Sequence, residues 1–126
     1  MKNRECLILT TLILSIGLAG QVSSQPVSYG VVYGSDRGIQ QAQWEIEQLS
    51  GRLPQYGNQN YLFKRGGYYV SVIVFRSQID ANNALPIIDN QYRRGSFVVP
   101  LNDWCRPDWR TKTGKESGIS YYDCGR

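Results

Sequence analysis

The sequence contains no histidine. That absence removes a Ser-His-Asp triad, a Cys-His pair and a histidine-built hydrolytic metal site together. Paired carboxylates are also missing. Glu45 and Glu47 lie two apart in a helical pattern and point in different directions. Asp103 and Asp108 fall in an irregular stretch, so the two carboxylates that glycoside cleavage requires are not in evidence. Gly66-Gly67 reads as the tip of a hairpin rather than a strand-to-helix turn, which leaves no Gly-rich phosphate loop. No catalytic residue, metal ligand set or cofactor is expected.

Long apolar runs are scarce too. The longest, 7–20, falls short of the ~20 residues of a comfortable membrane span. It sits between a basic start (Lys2, Arg4) and the small residues Val22-Ser23-Ser24. This is the layout of a secretory signal peptide over residues 1–24, with cleavage before Gln25. An uncleaved anchor is the alternative, and the short span argues against it. The expected address is secreted or periplasmic, with no stable membrane span after cleavage. Removing Lys2, Arg4 and Glu5 lowers the net charge from +4 by one. A mildly basic chain suits an anionic cell envelope and does not specify nucleic acid, which export makes a poor partner.

Of three cysteines, Cys6 leaves with the leader, and Cys105 and Cys124 remain. In an oxidising compartment an even pair favours a disulfide, which would close a loop of roughly 20 residues and contribute on the order of 3 kcal/mol. A zinc site is the competing reading, but two cysteines without histidine make a poor ligand set.

Periodicity orders the elements. Residues 28–34 (SYGVVYG) read as a first strand. Ser35 or Asp36 can cap a helix with Ile39, Ala42, Ile46 and Leu49 on its apolar face, ended by Gly51. Trp44 within it reads either as a stacking platform or, by preference, as a side chain packing over the core edge. Residues 61–65 and 68–75 flank Gly66-Gly67, a strong hairpin signal. Ser77 can cap a second helix, with Asp80 at the capping-box position and a kink or break expected at Pro86. Residues 96–101 (SFVVPL) form a last strand, with Pro100 at or beyond the sheet edge. The order βαββαβ predicts an α+β, ferredoxin-like fold: a four-stranded antiparallel sheet with two helices on one face. A disulfide-bearing C-terminal tail over 102–126 follows. In it, 112–120 reads as a polar loop tip, and Trp104, Trp109, Tyr121 and Tyr122 pack back on the domain or form a second binding patch.

Residues 29–101 resemble a sporulation-related repeat (SPOR) domain. The resemblance rests on Gly67, Tyr68, Val70, Val72 and Phe75, the polar break Arg76-Ser77, the alanines Ala81 and Ala84 and the final strand. It implies a domain, here 25–101, that binds peptidoglycan, notably septal glycan strands lacking stem peptides. A cell-envelope protein is a further partner to consider. SPOR domains commonly end their proteins, whereas this chain continues.

A two-residue loop opposes Arg65 with Tyr68 and Tyr61 with Val72, and opposed residues share a face. Tyr61, Phe63, Val70 and Val72 are the greasier set and are expected to meet the helices, with Tyr29, Val31 and Tyr33 of the first strand. The open face would then carry Gly30, Val32, Leu62, Lys64, Tyr69, Ser71 and Ile73, a mixture suited to a glycan. Arg93-Arg94 could grip an acidic ligand, but such pairs are more often solvated. The expected function is peptidoglycan binding through that face. The alternative is a secreted protein-interaction or inhibitor module acting through the tail and edge strands.

Overall fold

Gly66 and Gly67 hold φ of 60° and 81°, the left-handed pair that a tight hairpin turn needs. They join β2 (Asn60–Arg65) to β3 (Tyr68–Phe75), in the register expected, from Arg65 opposite Tyr68 to Tyr61 opposite Val72. The computed structural model describes residues 27–126, so the leader over 1–24 lies outside the described residues.

Around the hairpin stand β1 (Tyr29–Asp36), α1 (Ile39–Arg52), a 3₁₀ turn (Pro54–Gln59), α2 (Gln78–Gln91) and β4 (Phe97–Pro100). A short turn of helix, α3 (Leu101–Trp104), a 3₁₀ turn (Trp109–Thr111), β5 (Thr113–Glu116) and β6 (Ile119–Asp123) complete the chain. The result is α+β, but the sheet is mixed and has six strands rather than four, in the order β4-β1-β3-β2-β6-β5. The extra pair comes from the segment expected to be a polar loop. Ser117 and Gly118 both take positive φ, so that segment turns tightly and its arms pair as a hairpin. β6 then docks parallel to β2 through Phe63–Tyr122 and Lys64–Asp123.

The helix ends differ in detail from expectation. β1 runs on through Asp36, so Gly38 is the N-cap of α1 and gives it no side-chain hydrogen bond. Gly51 lies inside that helix, which ends at Arg52 with Leu53 as its C-cap. Ser77 does cap α2, accepting from the Asp80 N–H at 3.1 Å. α2 continues through Pro86 without a break. Pro86 and Asn82, whose carbonyl it leaves without a helical donor, are both exposed, so water can take that partner's place.

Two cores lie on opposite sides of the sheet. Val31, Tyr33, Ile73 and Phe75 meet Leu49, Leu53, Ala84 and Ile88 of the two helices. On the other side Val32, Phe63, Val70, Val72 and Val74 meet Leu101, Cys105, Trp109 and Cys124. The disulfide Cys105–Cys124 closes the segment that supplies this second layer. The tail therefore packs back on the domain and covers the side of the sheet opposite the helices, so neither face stays open.

Candidate functional site

The seven residues expected on an open face do not share one. Leu62 and Tyr69 pack with Ile39 and Ala42 of α1. Ser71 is wholly buried, with its hydroxyl 3.5 Å from the Ala42 carbonyl, and Ile73 lies in the helix-side core. Lys64 is half-buried, its ammonium 5.5 Å and 5.7 Å from the ring centroids of Tyr69 and Tyr121. The Tyr69 hydroxyl donates to the Glu116 carboxylate, and that bond comes first among the causes that raise its pKa.

Gly30 and Val32 go to the other side, under the tail. A side chain on Gly30 would stand 2.5 Å from Val72 Cγ1 and 3.2 Å from Leu101 Cδ2, so the close approach that this glycine allows is made by the protein's own core. The register explains the split. Val32 opposes Val72 and Gly30 opposes Val74, so the two cannot share a face with Ile73. Likewise Phe63, Val70 and Val72, expected to meet the helices, meet the tail instead.

Among the accessible recesses is an open trough of about 420 Å³ at the end of β3. Arg76 follows the last residue of β3 directly, and Ser77 then starts α2, which leaves the guanidinium at the sheet's end. Arg110 arrives from the 3₁₀ turn after α3. Asn58, Gln59, Tyr61 and Asp80 line the same trough. Arg110 is held in place: its guanidinium carbon sits 4.4 Å from the centroid of the buried Trp109 ring, and Nη2 donates to the hydroxyl of the buried Ser28. Gln59 Nε2 donates to the Val74 carbonyl at 2.9 Å, which fixes the amide and leaves its oxygen free to accept.

Ion pairs among the described residues join Arg93 to Glu45 and both Arg106 and Lys112 to Asp108. Neither Arg76 nor Arg110 is among them, and Asp80 pairs with neither.

Tyr61 belongs to a second recess as well. β2 and β6 are in register over only two residue pairs, and beside that short contact lies a cleft of about 200 Å³ lined by Tyr61, Leu62, Thr113, Ser120, Tyr121 and Tyr122. Tyr61 stays 37% exposed, standing edge-on to Tyr122 at 5.8 Å with its hydroxyl donating to the Asn58 carbonyl at 3.3 Å. It thus presents an aromatic surface between two recesses.

Tyr61 was expected on the inward face, and Arg110 carries no signal in the sequence. An arginine between a strand end and a capping serine was a usable signal for Arg76. Nothing local marks Arg110, which reaches the trough only because the tail folds back.

A separate polar cluster lies under the α2–β4 connection. Glu45, 3% exposed, accepts from the Tyr92 hydroxyl and the Arg93 guanidinium. Burial first, then the Glu45 carboxylate, push the Tyr92 phenol up to about 12. Burial also raises Tyr33, whose hydroxyl donates to Asn60 Oδ1 at 2.6 Å. Arg93 is therefore a structural partner, while Arg94 stays exposed. Trp44 is 49% exposed.

Among the described residues no group of three or more His, Cys, Asp or Glu is placed to hold a metal, and the two cysteines are spent on each other. No helix among them is long and apolar enough to cross a membrane. No family model matches the chain, and neither a curated protein nor a solved structure matches it.

Proposed function

We propose that this protein is an exported, non-catalytic module that binds peptidoglycan glycan strands through the trough at Tyr61, Arg76 and Arg110. The observation that carries the reading is the make-up of that trough: an exposed tyrosine ring beside the fixed Gln59 amide and two guanidiniums without a carboxylate partner among the described residues. The negative face of an aromatic ring receives the C–H groups of a pyranose. Amides and guanidiniums supply the donors and acceptors that sugar oxygens require. The antiparallel order β4-β1-β3-β2, with α1 and α2 on one side, supports a ferredoxin-like reading of that part of the chain and hence the resemblance to SPOR domains.

The contact surface moves accordingly. With the sheet face occupied by Trp109 and its neighbours, a rigid sugar chain meets the end of the sheet instead. Co-sedimentation of the oxidised protein with purified peptidoglycan, before and after an amidase strips its stem peptides, tests the reading. Binding that rises on stripping is the expected result. Absence from both pellets, with the protein shown to be folded, would remove the reading and turn attention to a protein partner. The exposed Phe97 on the edge strand β4 is the feature that would then matter.

A further inference from the structure

We propose that Arg76 and Arg110 form a carboxylate-recognition site, so that the sugar chain the trough takes is an acidic one. The inference rests on the glycan reading above and adds the chemical class of the ligand. Most other arginines of this fold have work within it. Arg93 pairs with Glu45 and Arg106 with Asp108. Arg65 donates to the Trp104 carbonyl, and Arg126 to those of Asp103 and Cys105. Arg37 donates to the Tyr68 hydroxyl. Arg76 makes no ion pair or hydrogen bond among the described residues, and Arg110 uses one donor on Ser28. A guanidinium has five donors, so Arg110 keeps the rest of its fork for a ligand.

Its stacking on Trp109 and its bond to Ser28 also fix that fork before anything binds, which lowers the ordering cost of binding. Two like charges lining one trough repel each other, and an anion between them relieves that repulsion. The fork geometry matches a carboxylate bidentately.

Asp80 narrows the choice further. A carboxylate in the same trough repels a densely charged chain such as a polyphosphate, while it can accept hydrogen bonds from hydroxyl groups. One carboxylate flanked by hydroxyls satisfies the arginines and Asp80 together. Tyr61 beside them offers the surface for the ring that bears those groups.

The test uses peptide-stripped glycan strands, whose lactyl carboxylates are free, and the same strands with those carboxyl groups reduced to alcohols. Affinities of the oxidised full chain for both are measured by calorimetry. Carboxylated strands are expected to bind about tenfold more tightly, as for hydrogen bonds to a charged group at a partly solvated site. Arg76→Gln is expected to remove most of that difference and to leave the reduced strands unaffected. Arg94→Gln changes the net charge equally outside the trough and is expected to change neither affinity. Equal binding of the two strand forms overturns the carboxylate role and leaves the glycan reading standing. No binding of either form overturns both. Equal losses in R76Q and R94Q would reduce the effect to overall charge and overturn the site.

Discussion

Asp36, at the end of β1, has one carboxylate oxygen buried without a hydrogen-bond partner. Burial is the main cause that raises its pKa. The Glu45 charge adds to the shift, and the Arg93 guanidinium partly offsets it. An acid whose folded-state pKa lies above its unfolded value costs stability once both states are ionised. The cost is present above the folded pKa and disappears as pH falls through it. Asp36→Asn is therefore expected to stabilise the fold at neutral pH, by up to about 1 kcal/mol at this partly exposed site. Below the ordinary carboxylate range the advantage should vanish. Urea unfolding of both proteins at about pH 7 and about pH 3 measures this, and a destabilised variant at neutral pH would contradict it. Gly30 is a residue-scale case of a different kind. Its missing side chain makes room for Val72 and Leu101. Gly30→Ala forces those side chains aside and is expected to cost about 1–3 kcal/mol, read as a lower urea midpoint with an unchanged slope.

At the scale of elements, β3 explains what the sequence could and could not reveal. Its hairpin register was legible because Gly66-Gly67 admits one short turn, and the pairing follows from that. The face assignment was not legible. From Tyr69 to Phe75 every residue of β3 is buried, so neither alternating set was the polar one. The greasier set turned out to face the tail, whose Trp109 lies 5.2 Å from Phe63 and 4.9 Å from Tyr122, ring centre to ring centre. The β5–β6 hairpin was hidden for a related reason: 112–120 lacks a β-branched run, and only Ser117-Gly118 marks the turn. The disulfide holds this layer shut. Replacing both Cys105 and Cys124 with serine is expected to lower stability by about 3 kcal/mol, with a red shift of tryptophan emission if Trp109 loosens from the sheet. Unchanged unfolding and unchanged emission would mean that the tail is held by packing alone.

For the whole molecule, a sheet covered on both sides leaves its ends and edges for recognition. The helix-side layer could be read from periodicity, and the two cysteines hinted at the tail's closure. The second covering layer could not be read, because aromatic residues in an irregular stretch carry no period that says where they will dock. The trough was invisible for the same reason: Arg110 joins Arg76 only after the tail has folded over β3. The buried faces thus hold the domain together, and the proposed binding surface lies at the end of the sheet. The most direct test is to map backbone amide shifts of the oxidised protein during titration with peptide-stripped glycan strands. The expected result is a set of changes at Asn58, Gln59, Tyr61, Arg76 and Arg110, with the amides of Val70 and Val72 unmoved. Shifts centred on Val70 and Val72, with displacement of Trp109, would contradict it and return the binding site to the sheet face.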